Sequence, residues 1–238
     1  TLLARETFLT PVVFEDQRPV FNPGVGKVLL EQDRPDLPWT PVRTESARDD
    51  FSGSTLGKQW NMLRTPQTRW YALEKGKLSL ELRPQTLSQL GNPSLLAKRI
   101  RHHQFSSSLQ LDFEPASQYE MAGMVLYRSS TCHYQFVRQK GVLVIIRTEK
   151  GETSEVARTP YKADSVILKA EADGLDLQFS YGESIENMVA LGEEQSMSVI
   201  SFEVAGGFNG PYVGIYASSG EKASNNKAQF DWFEYLGE

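Results

Sequence analysis

The chain holds 30 Asp and Glu residues, and three pairs are adjacent: Glu15-Asp16, Asp49-Asp50 and Glu193-Glu194. Acid–base work needs carboxyl groups that face each other across a substrate. Neighbours in extended chain point to opposite faces, so these pairs read as solvated turn carboxylates. Asp50 and Asp231 differ, because they lie near the two ends of one long strand-rich stretch. Hard carboxylate oxygens with backbone carbonyls suit calcium, which makes both candidate ligands of a structural calcium. The alternative is an Asp231 that points outward between Phe230 and Trp232. His102, His103 and His133 have no metal-ligand spacing, and the first two follow the basic run 98–101 as a solvated strand face. Cys132 is the sole cysteine, so no internal disulfide forms. It lies in an alternating run and reads as a small buried thiol. No Gly-x-Ser-x-Gly, P-loop or dinucleotide fingerprint is present.

Flat rings are the other chemistry on offer, since they stack on apolar sugar faces. Trp39, Trp60, Trp70 and Trp232 are the four tryptophans. Trp60 and Trp232 lie in alternating runs and read as core. Trp70 follows Pro66-Gln67-Thr68-Arg69, reads as partly exposed and is a candidate sugar platform. Phe208 stands in the loop Gly206-Gly207-Phe208-Asn209-Gly210. An aromatic in a glycine loop has little to pack on locally, which makes Phe208 the leading candidate for a binding role.

The elements that must position these residues are strands. Alternating runs occur at 60–64, 77–83, 95–101, 106–114, 121–128, 133–139, 143–148, 155–158, 165–172, 176–181, 188–190, 212–218 and 227–235. The period of two and the turns Lys75-Gly76, Lys140-Gly141, Lys150-Gly151 and Asp173-Gly174 predict hairpins. No helical stripe of useful length appears. So many short strands predict an all-β, two-sheet jelly roll over 48–238. Residues 1–47 hold six of the 12 prolines and form an extended Pro-rich segment. It has room for short strands at 7–14 and 26–31, and for Leu37 and Trp39 as anchors against a domain surface.

The formal net charge of −5 argues against nucleic acid as a partner, which needs a basic face. The 39% hydrophobic and 23% charged content is that of a folded globular chain. No apolar run approaches the ~18 residues of a membrane span, so no membrane partner is expected. The start, Thr1-Leu2-Leu3-Ala4-Arg5, has neither a signal-peptide pattern nor an initiator Met, which suggests an upstream portion.

The run Leu3-Ala4-Arg5-Glu6-Thr7-Phe8-Leu9-Thr10-Pro11-Val12, with Phe14-Glu15-Asp16 and Pro19-Val20-Phe21-Asn22-Pro23-Gly24, resembles the end of the catalytic propeller of glycoside hydrolase family 43. These are the β-xylosidases and α-L-arabinofuranosidases. Ala4, Phe14 and Gln17-Arg18 depart from that family's Gly, Trp and Gly-Trp. Arg48-Asp49-Asp50-Phe51, Trp60-Asn61-Met62-Leu63-Arg64, Gly123-Met124-Val125-Leu126-Tyr127 and Ala228-Gln229-Phe230-Asp231-Trp232-Phe233 resemble its C-terminal concanavalin A-like module. Phe179-Ser180-Tyr181-Gly182-Glu183 departs from the family's Ser-Phe-Asp-Gly hairpin.

The resemblance implies an accessory module without catalytic carboxylates, partnered with a family 43 propeller that acts on oligo- or polysaccharides of xylose or arabinose. It implies that Phe208 is the loop residue that reaches into the propeller's pocket, and that a calcium sits near the module's termini. Such hydrolysis needs carboxyl groups about 6.5–9.5 Å apart in an inverting enzyme, and no strand here offers such a pair by pattern. Two other readings stand beside this one. One is an independent, lectin-like carbohydrate-binding module, and the other is a divergent jelly-roll enzyme.

Overall fold

The computed structural model describes residues 2–3, 5–41 and 46–237. They fall into two compact units, one of residues 5–41 and one of residues 2–3 with 46–237. In the smaller unit, β1 (Val12–Glu15) pairs antiparallel with β2 (Arg18–Phe21), Val12 opposite Phe21. Asp16 and Gln17 between them both have positive φ, 47° and 64°. That is the geometry a two-residue hairpin turn demands, and it suits Gly better than Gln. The hairpin is thus shorter and later than the 7–14 strand the sequence suggests, and 26–31 forms no strand. Trp39, expected to lie against a surface, is 71% exposed, with the Arg34 guanidinium 5.0 Å from its ring centroid.

The larger unit is built almost wholly of strands. In chain order they are β3 (Arg48–Asp49), β4 (Asn61–Met62), β5 (Tyr71–Glu74), β6 (Lys77–Glu81), β7 (Ser94–Arg99), β8 (Gln104–Asp112), β9 (Met121–Ser129) and β10 (Cys132–Gln139). There follow β11 (Val142–Glu149), β12 (Glu152–Pro160), β13 (Ser165–Asp173), β14 (Asp176–Gly182), β15 (Val189–Ala190), β16 (Gln195–Ser196), a single helical turn α1 (Phe202–Ala205), β17 (Tyr212–Ser218) and β18 (Lys227–Gly237). One antiparallel sheet runs β12-β11-β10-β9-β17-β7-β4. The other runs β15-β14-β13-β8-β18-β6-β5, with β16 on β14 and β3 on β18.

The inner faces meet in one core. Leu109 and Leu111, Val166, Leu168 and Ala170, and Leu177 and Phe179 alternate inward as their spacing predicts. Phe179 joins the two sheets, its ring centroid 5.8 Å from Tyr134 and 5.4 Å from Phe136. Cys132 is buried and makes no disulfide.

Strand β18 breaks the simple alternation. Phe230 pairs with Leu111 but Trp232 pairs with Gln110, so Asp231 is the extra residue of a β-bulge. Ala228 and Phe230 face the core before it, and Phe233 and Tyr235 after it. Trp232, expected in the core, lies on the opposite face. Its Nε1 donates to Gln110 Oε1 at 3.0 Å, and Arg48 covers its ring at 4.0 Å. Phe233, now inward, meets the edge of Trp60 at 5.0 Å. Trp60 donates Nε1 to Asp49 Oδ2 at 2.7 Å, and Asp49 Oδ1 accepts from the Phe51 amide at 3.0 Å. Asp49 therefore serves the core, tying the first strand of the sandwich to its last.

The other face of the seven-stranded sheet carries a second apolar cluster, with Leu95, Val125, Val137 and Tyr216 among its members. His133 is fully buried and stacks on Tyr127 at 5.8 Å. Its Nδ1 donates to Ser129 O at 3.0 Å, which leaves Nε2 to face the Gln135 amide at 3.5 Å. Burial lowers its pKa to about 4, against the single opposing hydrogen bond to Ser129.

Two outcomes follow from these contacts. The folded chain binds fewer protons at His133 than the unfolded chain between pH 4 and about 6.5. Stability is therefore full above about pH 6.5 and falls as the pH drops toward 4. The loss at this one residue is on the order of 3 kcal/mol. Urea unfolding at a series of pH values checks it, because His133→Gln removes that share of the slope. Asp49→Ala strands the buried indole N–H of Trp60 and should cost about 2 kcal/mol, read as a lower urea midpoint with an unchanged slope.

Candidate functional site

Phe208 stands at the tip of a loop that the fold builds in steps. Ser201 precedes α1, whose single turn ends where the Gly206 amide bonds Phe202 O at 2.9 Å. Gly206 has φ 67° and ψ −166°, a conformation essentially reserved for glycine, and Gly207 follows at φ 74°. These two residues turn the chain back and lift Phe208 away from the sheet. Its side chain is 64% exposed and lies beside Phe202, ring centroids 6.3 Å apart.

The loop backbone is held from below by two arginines. Arg128, from the end of β9, donates Nη2 to Gly206 O. Arg99, the last residue of β7, donates Nη1 to Gly210 O at 3.0 Å and Nη2 to the Tyr212 hydroxyl at 2.6 Å. Its guanidinium also lies 4.4 Å from the Tyr212 ring centroid. Tyr212 pairs with Arg99 on one side and Tyr127 on the other, so neighbouring strands bring both arginines under the loop. Space is tight there. A Cβ on Gly207 would sit 2.7 Å from Arg128 Nη2, and one on Gly210 would sit 2.8 Å from Leu3 O. Burial, then the nearby charge of Arg99, lowers the Arg128 pKa from its ordinary value. Guanidinium stays protonated regardless. Burial raises the Tyr127 pKa against the opposing charges of Arg64 and Arg128.

The other candidate residues are placed differently. Trp70 is fully buried, with Nε1 donating to Asn92 Oδ1 at 3.2 Å and Arg83 over its ring. It is core and has no ring face to present to a sugar, in contrast to the exposure expected of it. Its strand partners explain why, since its carbonyl accepts from the Glu81 amide and draws it in along β6.

Asp50 is exposed, and its Oδ1 accepts from the Ser52 amide at 3.1 Å and hydroxyl at 2.7 Å. Those bonds hold its carboxyl below the usual carboxylate range. Asp231 Oδ1 takes Lys77 Nζ at 2.7 Å, and Asp112 Oδ2 takes the same ammonium at 2.5 Å. Bonds to Asp112 and then Asp231 raise the Lys77 pKa. A cation already occupies the place a calcium would need at Asp231. Among the described residues no three His, Cys, Asp or Glu groups converge. Asp50 and Asp231 are thus engaged separately, the one by Ser52 and the other by Lys77. Sequence reading singled out Phe208 and passed over Arg99 and Arg128, which reach the flanking Gly210 and Gly206 carbonyls across 111 and 78 residues. No local pattern could signal contacts at that separation.

Comparison with known proteins places this geometry. Residues 48–236 match the model of the β-xylosidase C-terminal concanavalin A-like domain. A xylosidase/arabinosidase of Butyrivibrio fibrisolvens is 32% identical over 239 residues, 97% of this chain and 46% of that protein. A non-reducing end α-L-arabinofuranosidase of Bacteroides ovatus is 30% identical, over 98% of this chain and 45% of its own length. Among solved structures, the family 43 protein of the Bacteroides ovatus xyloglucan locus superposes with TM-score 0.91 at 29% identity, over 99% of this chain and 48% of that one. A xylan β-1,4-xylosidase of Bacillus halodurans superposes with TM-score 0.87 at 26% identity, over 95% and 46%. The chain spans about half the length of these relatives. It is an all-β sandwich that belongs to the β-xylosidase C-terminal concanavalin A-like domains of glycoside hydrolase family 43.

Proposed function

We propose that this chain works as the C-terminal part of a longer family 43 glycosidase, where it buttresses a catalytic propeller and supplies Phe208 as one wall of the pocket. The substrate is an oligo- or polysaccharide ending in xylose or arabinose. The observation that carries the reading is the Phe208 loop, an aromatic 64% exposed on a backbone fixed at both ends. A ring so placed can stack on the apolar face of a terminal pentose. The smaller unit supports the same reading. Phe14, Phe21, Leu30 and Trp39 are all exposed in its 5–41 stretch. A two-stranded hairpin is marginal by itself and gains stability by packing against further strands. A propeller that continues into this chain would supply them.

A lectin-like module would need bare rings on the sandwich. Trp70 is buried, and the ring of Trp232 carries Arg48 on its face. Those two positions lend that alternative no support.

The expected outcome is that the chain alone does not turn over aryl β-xyloside or aryl α-L-arabinofuranoside, and that the longer protein does. Phe208→Ala should lower kcat/KM of the longer protein about tenfold, a loss of about 1.4 kcal/mol in transition-state binding. The same change should leave the stability of the chain within about 0.5 kcal/mol. Turnover by the chain alone, or an unchanged kcat/KM for Phe208→Ala, would overturn the reading.

A further inference from the structure

We infer that Arg99 and Arg128 are positioning residues for substrate binding, acting through Phe208 and touching no sugar themselves. The inference rests on the pocket-wall role proposed for Phe208 and names what sets the position of that wall. Three observations lead to it. First, the loop cannot hold its own shape. Its helical turn is four residues long, and a helix that short is not self-supporting. Gly206, Gly207 and Gly210 add chain entropy that must be overcome to fix the ring.

Second, the two guanidinium groups are spent on the loop. Among the described residues neither pairs with a carboxylate. Arg128 donates to the carbonyl where the loop begins, and Arg99 donates to the carbonyl where it ends. Arg128 Nε is buried with no partner, so this side chain accepts a desolvation cost to reach Gly206. Burial, and after it the like charge of Arg99, opposes the charged form of Arg128. A surface cation with no task would turn to water.

Third, the loop is shaped to receive them. Gly207 leaves room for Arg128, where any Cβ would meet Nη2. The planar fork of arginine suits this use, because it fixes direction as well as distance. Arg99 is further oriented by the Tyr212 hydroxyl and ring. The result is a rigid stand under an exposed ring, with strands β7 and β9 as its base. Small errors in ring height would cost contact with a sugar held by another domain.

The test separates this inference from the reading beneath it. In the longer protein, Arg128→Gln and Arg99→Gln should each raise KM about three- to tenfold while kcat changes less than twofold. Arg128→Lys, which keeps the charge and one donor, should recover part of the loss. On a Phe208→Ala background the arginine changes should have no further effect, because all act through one ring. If they still raise KM there, or if Phe208→Ala matters and the arginine changes do not, the inference is wrong. If Phe208→Ala itself has no effect, the pocket-wall reading fails.

A second measurement on this chain decides the clamp whatever the activity shows. With para-fluorophenylalanine at position 208, the ¹⁹F resonance should move toward its random-coil position in Arg128→Gln and Arg99→Gln. An unmoved resonance overturns the clamp. Gly207→Ala perturbs the Arg128 contact from the loop side and should shift the same signal, which covers the case of an arginine variant that does not fold.

Discussion

The sandwich turns on one extra residue in β18. Asp231 interrupts the ladder to β8, and every side chain after it changes face. Without the bulge, Trp232 and Glu234 would point into the core and Phe233 and Tyr235 out of it. With it, Phe233 is fully buried against Trp60, and Trp60 reaches Asp49. Burial of a ring the size of Phe233 stabilises by about 1.5–3 kcal/mol relative to exposure. The bulged residue is not idle, since Lys77 holds it together with Asp112. That ion pair is partly exposed, so its own worth is modest, about 1 kcal/mol or less.

The same economy governs the Phe208 loop. The rigid part of the structure is the sheet, where β7, β17 and β9 lie side by side. The loop itself is short, rich in glycine and raised from that sheet. Two long cationic side chains bridge the gap, and each ends on a backbone carbonyl. Backbone carbonyls make the arrangement independent of the side chains in the loop, apart from the glycines that must stay small. Phe208 is thus exposed on a backbone bonded on both sides of it.

The two units divide the labour differently. The sandwich satisfies its own core and closes one sheet on another through Phe179. The 5–41 unit is mostly irregular around one hairpin and leaves large apolar side chains at its surface.

Most of the architecture was legible from residue pattern, because the alternation in strands such as β8, β13 and β14 follows directly from the two-residue repeat of extended chain. The Phe208 loop was legible as well, since glycines on both sides of an aromatic mark a forced turn. Short strands such as β5 were missed, because four residues carry too little periodicity to stand out. The faces of Trp70 and Trp232 were misjudged for a related reason. Burial of Trp70 depends on Asn92 and Arg83, and the outward turn of Trp232 depends on a bulge that no local signal announces. The ion pair of Asp231 with Lys77 was not legible either, because only the pairing of β6 with β18 brings the two into reach. Period and turn chemistry are written between neighbours along the chain, so sequence alone could settle the strands and the loop. Which side chains meet is a matter of register between distant strands, and only the folded sandwich decides that Arg99 and Arg128 bond the carbonyls of Gly210 and Gly206 on either side of Phe208.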